Sequence, residues 1–287
     1  VGRGRALSGP AAPEEGRGDG DSGAPRVDRD PGAIAGMFGR IAPRYDLMNR
    51  LMTAGLDRGW RQLAAAEARL QPGDHALDVC CGTGDLSFAL LDRWPGVEVT
   101  GLDFTAEMLE VARDKAAQRR VAAAPDGTTV RIGDRAGGCS MVPVPTFVQG
   151  DLLALPFADD LFAAVTVGWG VRNVPDLPRA LAEMTRVTRP GGRVVCLEST
   201  RPPEGVGRQF HRVWFDRVVP ALGRAVADEG GAYEYLPASV RDFPTAERLA
   251  ELMSAAGLTN VRYRRLGFGA VALHVAEKPG GATGGAA

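Results

Sequence analysis

The chain has 287 residues, enough for one large domain or two small ones around a substantial core, and its 45% hydrophobic and 24% charged content is ordinary for a soluble enzyme. Its 34 basic and 35 acidic residues nearly cancel, so no global field favours nucleic acid, and only a local basic patch stays open. Three scattered histidines and four cysteines without a Cys-x-x-Cys pair indicate neither a metal site nor a disulfide framework, and no apolar run approaches the roughly 18 residues that cross a bilayer.

Residues 1–31 are dense in Gly, Arg, Asp, Pro and Ala and read as a disordered tail. The tail has no apolar segment of the secretory kind, and its acids, Glu14, Glu15, Asp19, Asp21, Asp28 and Asp30, are unlike a typical organelle transit peptide. Order is expected from about Gly36. Phe38, Ile41, Tyr45, Met48, Leu51 and Met52 recur at helical spacing, interrupted by Pro43, and a further helix covers 60–70. This region reads either as helices packed on a sheet or as a partly apolar lid over a ligand; periodicity leaves both open.

Residues 75–80 form an apolar strand that gives way to Cys81-Gly82-Thr83-Gly84-Asp85 and then to a helix from Leu86. Gly82 and Gly84 lack Cβ atoms, which permits a tight bend and close approach of a ligand, and the helix that follows begins with free N–H groups. A second strand, 97–103, ends in Asp103, and an acid about 20 residues beyond a glycine turn is the arrangement that binds ribose hydroxyls. Ser87 stands where a dinucleotide clamp would place its third glycine. That substitution disfavours a pyrophosphate and suits a nucleoside without phosphates, of which S-adenosylmethionine is the commonest cofactor.

Further along, Met108, Leu109, Val111 and Ala112 give 106–118 an apolar helical face, and 119–145 reads as a surface insertion. A third strand at 146–149 runs into Gly150-Asp151, and a fourth covers 163–167. A helix at 177–188 stops at Arg189-Pro190-Gly191-Gly192, before a fifth strand at 193–198. A helical region at 208–227 and a helix from about 245 to 257 follow, then strands at 261–266 and 270–277 joined by Gly267-Phe268-Gly269, and a loose tail at 279–287. Alternating strands and helices with right-handed crossovers predict a mostly parallel α/β sheet covered on both faces, with an antiparallel hairpin at its edge. Ligands in such sheets sit beyond the carboxyl ends of the strands, where Gly82, Asp103 and Asp151 all fall.

Four ordered motifs carry a closer resemblance: Phe38-Gly39-Arg40-Ile41-Ala42-Pro43-Arg44-Tyr45-Asp46-Leu47-Met48-Asn49, the loop at 77–86, Gly170-Val171-Arg172-Asn173-Val174, and Tyr235-Leu236-Pro237-Ala238-Ser239-Val240. Over 37–278 the chain resembles the quinone-biosynthesis C-methyltransferases. The resemblance implies a class I S-adenosylmethionine-dependent methyltransferase fold, Rossmann-like, with seven strands in one domain over 32–278. It implies cofactor contacts at Thr83 and Gly84, at Asp103 for the ribose, at Asp151 for the adenine amino group and at Leu152 beside the base, with Asp78 and Gly82 against the methionine moiety. The substrate class it implies is a prenylated quinol, with demethylmenaquinol favoured over the ubiquinone and phylloquinone pathways by Cys80-Cys81-Gly82-Thr83. Two departures stand out: Gly168 replaces a frequent Ser, and Asp57-Arg58 replaces a frequent His-Arg. Expected too are a cytoplasmic location with peripheral contact at the inner membrane face through apolar residues of 38–52 and 210–219, no nucleic-acid partner, and a homodimer left open.

A quinone ring carbon is electrophilic, so the substrate is expected to be the reduced quinol, activated by loss of a hydroxyl proton. Arg172, oriented by Asn173, is the expected electrostatic partner of the phenolate, and Tyr45 the expected holder of a quinol oxygen. The alternative for Arg172 is a salt bridge that braces its loop.

Overall fold

The computed structural model describes residues 29–122, 142–202 and 230–280. Most of the tails expected at 1–31 and 279–287, most of the 119–145 insertion, the helical region at 208–227 and the apolar residues of 210–219 lie outside them. Order begins earlier than Gly36. Helix α1 (Pro31–Ile41) starts where the Asp30 carboxylate accepts from Ala33 N at 2.8 Å, with Pro31 at the first helical position. A 3₁₀ turn at Pro43 then separates it from α2 (Tyr45–Met52), and Gly55, at φ 76°, opens α3 (Leu56–Glu67).

Strands β1 (His75–Val79), β2 (Glu98–Asp103), β3 (Thr146–Gln149), β4 (Phe162–Gly168) and β5 (Thr188–Ser199) alternate with α4 (Asp85–Arg93), α5 (Ala106–Ala122) and α6 (Leu177–Val187). Helices α7 (Gly230–Asp242) and α8 (Ala246–Ala255) precede β6 (Thr259–Leu266) and β7 (Val271–Glu277). One seven-stranded sheet results, in the order β3-β2-β1-β4-β5-β7-β6. The first five strands run parallel, and β7 inserts antiparallel between β5 and β6, which leaves β6 at the edge. The mostly parallel sheet with a closing antiparallel pair is the fold expected from the sequence.

Period-two alternation divides the core. On β5, Val194 and Cys196 face a layer with Leu181 and Met184 of α6 and Leu249 and Met253 of α8. Val195 and Leu197 face the opposite layer with Ala64 and Ala65 of α3 and Leu86 and Leu90 of α4. Strands β1 and β4 are buried on both faces, which is why they read as continuous apolar runs. The carboxyl ends of β1, β2 and β4 therefore converge at one edge of a closed core.

Candidate active site

The chain leaves β1 through two left-handed bends, Cys80 at φ 51° and Gly82 at φ 54°, and enters α4 from Gly84 at φ 83°. Gly82 needs its freedom because its N–H is turned to donate to Asp103 Oδ2 at 2.7 Å. Asp103 Oδ1 accepts from Thr105 N at 2.9 Å. Both carboxylate oxygens thus accept backbone N–H groups, and Asp103, 9% exposed, lines the main cleft. Burial raises its pKa, against the opposing pull of those N–H groups.

The loop after β4 closes on the glycine turn from the other side. Trp169 is left-handed at φ 56°, and a Cβ on Gly170 would lie 2.2 Å from Cys80 Cβ. Only glycine fits there. Gly168 lines the same cleft beside Leu86. Asp151, whose Oδ1 accepts from Leu153 N at 2.8 Å, and the buried Leu152 complete the wall beyond Asp103. Tyr45, Phe38 and Ile34 cover the cleft from α1 and α2, the rings of Phe38 and Tyr45 meeting edge to face at 6.0 Å. Burial pushes the Tyr45 hydroxyl up, so it stays protonated.

A smaller polar recess adjoins the cleft and shares Tyr45, Cys80, Gly82 and Trp169 with it. Asp78 lies at its base, fully buried, accepting from Ser87 Oγ at 2.6 Å and Thr166 Oγ1 at 2.8 Å. Burial pushes the Asp78 carboxyl up to about 7, although both hydroxyls pull the other way. Ser87, legible in the sequence only as a missing glycine, is thus a donor to this acid.

Thr83 is buried and donates to Asp46 Oδ1 at 2.6 Å, while Lys115 Nζ reaches Thr83 Oγ1 at 3.0 Å, Asp85 Oδ1 at 2.7 Å and Asp46 Oδ2 at 2.5 Å. Arg61 extends this chain of charges, lying 3.4 Å from Asp85, paired with Asp57 one turn away, and 5.0 Å above the Trp169 ring. Burial would raise the Asp85 carboxyl, but Arg61 and Lys115 reverse that and hold it below its usual value. In the sequence Asp46 and Asp85 stand out only as members of longer motifs, and Arg61, Lys115 and Trp169 belong to none of them. The i,i+4 spacing of Asp57 and Arg61 was a readable signal; Lys115 had none.

Asn173 lines the main cleft, its Oδ1 accepting from Tyr235 Oη at 3.1 Å. Arg172 does not line it. The guanidinium is buried against Glu198, with Nη1 2.8 Å from Oε1, and donates to Trp169 O at 2.6 Å, while the Arg172 amide reaches Glu198 Oε2 at 3.2 Å. Glu198, rather than Asn173, orients this side chain. Among the described residues no group of His, Cys, Asp or Glu is arranged to hold a metal ion, and no helix is long and apolar enough to cross a membrane.

A parallel sheet closed by an antiparallel β7, a glycine turn after β1 and a carboxylate at the end of β2 define a class I S-adenosylmethionine-dependent methyltransferase. The chain belongs to the ubiE/COQ5 methyltransferase family, whose sequence profile matches residues 27–278. It is 45% identical to a demethylmenaquinone methyltransferase of Thermus thermophilus, over 85% of this chain and 100% of that protein. It is 43% identical to that of Deinococcus radiodurans, over 86% of this chain and 92% of that protein. A solved SAM-dependent methyltransferase from Thermotoga maritima matches 85% of this chain and 99% of its own at a TM-score of 0.54 and 17% identity, a likeness of fold. The cofactor is S-adenosylmethionine, and the residues present fit it: a carboxylate on the cleft at the end of β2, a glycine turn with Ser87 where a dinucleotide clamp has its third glycine, and a largely apolar wall.

Proposed function

We propose that this chain methylates a ring carbon of a prenylated naphthoquinol, converting demethylmenaquinol to menaquinol. The observation that carries this reading is the largely apolar lining of the cleft, to which Ile34, Phe38, Met108 and Val174 contribute along with Gly82 of the glycine turn. Near-complete coverage of relatives named for that reaction supports it.

In this reading Asp103 accepts from the ribose hydroxyls, Asp151 and Leu152 hold the adenine, and Gly82, Thr83, Gly84 and Asp78 border the methionine portion. When bound, the cofactor supplies a methyl group already activated by its sulfonium. The protein's contribution is then alignment and exclusion of water. Tyr45, protonated and lining the cleft, donates to a quinol oxygen and fixes the ring, and Asn173 lines the same cleft. Arg172 acts as a positioning residue: its ion pair with Glu198 fixes the Trp169–Asn173 loop that bears both Trp169 and Asn173.

The test is incubation of purified protein with methyl-labelled cofactor and chemically reduced demethylmenaquinol, read by mass spectrometry. A product heavier by one methyl group is expected with the quinol and none with the oxidised quinone. Label transferred to a benzoquinol but not to the naphthoquinol would move the assignment to the ubiquinone pathway. No transfer to any quinol would point to another small molecule.

A further inference from the structure

We propose that Tyr235 is a positioning residue for methyl transfer: its hydroxyl holds the Asn173 carboxamide so that the Nδ2–H groups are the donors offered to a quinol oxygen. This deepens the quinol reading and rests on it for the oxygen that Asn173 meets.

Tyr235 opens the last of the four sequence motifs, stands on α7 and does not itself line the cleft. Its Oη lies 3.1 Å from Asn173 Oδ1. Asn173 does line the cleft, and a 3₁₀ turn pins its backbone, the Asn173 amide donating to Gly170 O at 3.0 Å. What the turn leaves free is the carboxamide, whose terminal torsion is broad and close to two-fold. By itself it could present either end to the cleft at little cost. Tyr235 is its one hydrogen-bond partner among the described residues. With Oδ1 engaged by a residue outside the cleft, the carboxamide keeps two N–H groups for a molecule within it.

A tyrosine hydroxyl can donate or accept, so the charges around it decide. Of the charged groups that act on it, the Arg172 and Arg29 guanidiniums act most strongly, ahead of the Glu198 and Asp242 carboxylates. They draw the lone pairs of Oη toward themselves and leave its proton for Asn173. The same two arginines fasten α7 to the loop. Arg172 Nε reaches the buried Ser239 Oγ at 3.4 Å, while Arg29 donates to Arg172 O at 2.9 Å and to Asp242 Oδ2 at 2.6 Å. The Tyr235 hydroxyl is thus carried on a support tied to the loop it orients. N–H donors facing an oxygen that gains negative charge as the ring is activated stabilise the transition state more than the bound quinol.

The test is a double-mutant cycle on the full chain, with a detergent-dispersed, short-chain demethylmenaquinol and saturating S-adenosylmethionine. Tyr235→Phe keeps the ring and should lower kcat roughly fivefold, the worth of one neutral hydrogen bond, at unchanged quinol KM. Asn173→Ala should lower kcat on the order of 100-fold. Adding Tyr235→Phe to Asn173→Ala should cost nothing further, because no carboxamide is left to orient. Asn173→Asp still accepts from Tyr235 but has no N–H, and should be as slow as Asn173→Ala. Each variant should bind S-adenosylhomocysteine with wild-type affinity by calorimetry. Wild-type kcat in Tyr235→Phe, a loss confined to KM, or weakened cofactor binding in that variant would each overturn the proposal. So would the same fivefold loss on the Asn173→Ala background, which would make Tyr235 only a brace for α7. Quinol turnover that Tyr235→Phe leaves untouched removes the positioning role alone; wild-type protein that methylates no quinol removes the quinol reading and the role with it.

Discussion

Asp78 is the most enclosed acid at the site, and its protonation is a stability statement. The folded protein holds this proton to about pH 7, whereas the unfolded chain releases it near the ordinary carboxylate value of 3.8. The native state therefore binds more protons between these values, and its stability from this group declines as pH rises from about 4 through 7. Asp78→Asn removes the titration. Denaturant unfolding of the cofactor-free protein should show the two forms nearly equal at about pH 3 and the variant favoured by up to about 4 kcal/mol at about pH 8. Parallel pH slopes would contradict it. The sequence marked Asp78 by its place before the glycine turn, but not its raised pKa, which comes from the loss of water around it and outweighs the opposing hydroxyls of Ser87 and Thr166. Arg172 is the converse case: its motif was legible, yet a guanidinium beside an apolar cleft takes the nearest carboxylate, and Glu198 on β5 is that carboxylate only once β4 and β5 pair.

At the scale of elements, the segment 38–52, readable as packed helices or as a lid, is tied to the glycine turn by ions as well as by apolar packing. Lys115 on α5 joins Asp46 of α2 to Thr83 and Asp85 of the glycine turn, so cover and turn are mechanically one. Its side chain is 24% exposed, and solvent discounts the pairs to about 1 kcal/mol in total. Lys115→Met should weaken cofactor binding roughly fivefold by calorimetry and speed amide exchange across α2 while leaving β1 and β4 protected. Unchanged exchange in α2 would show that this helix holds its place without the link. The helix and turn were readable from periodicity and glycine placement. Their connection was not, because it depends on a lysine more than 30 residues away, on a helix whose apolar face was its only visible feature.

Across the whole molecule, the site depends on the sheet that brings the ends of β1, β2 and β4 together. Binding that bridges Asp103, Asp151 and the glycine turn should stabilise the entire fold by mass action. S-adenosylhomocysteine at about 100 times its dissociation constant should add about 2.7 kcal/mol, a rise in melting temperature of roughly 5–10 °C for a chain of this size. No shift at saturating ligand would contradict the cofactor placement.

The sequence by itself determined the order of strands and helices, the glycine turn, the acid that closes β2 and the family motifs, because these are local patterns of period, backbone freedom and spacing. The tertiary structure alone decided that β7 would separate β5 from β6, that Arg172 would turn to Glu198, and that Asp46, Arg61, Asp85 and Lys115 would form one chain of charges around Thr83. Partners in ion pairs and strand pairs are chosen by distance in space and by exclusion of water, and neither is written in the spacing of residues along a chain.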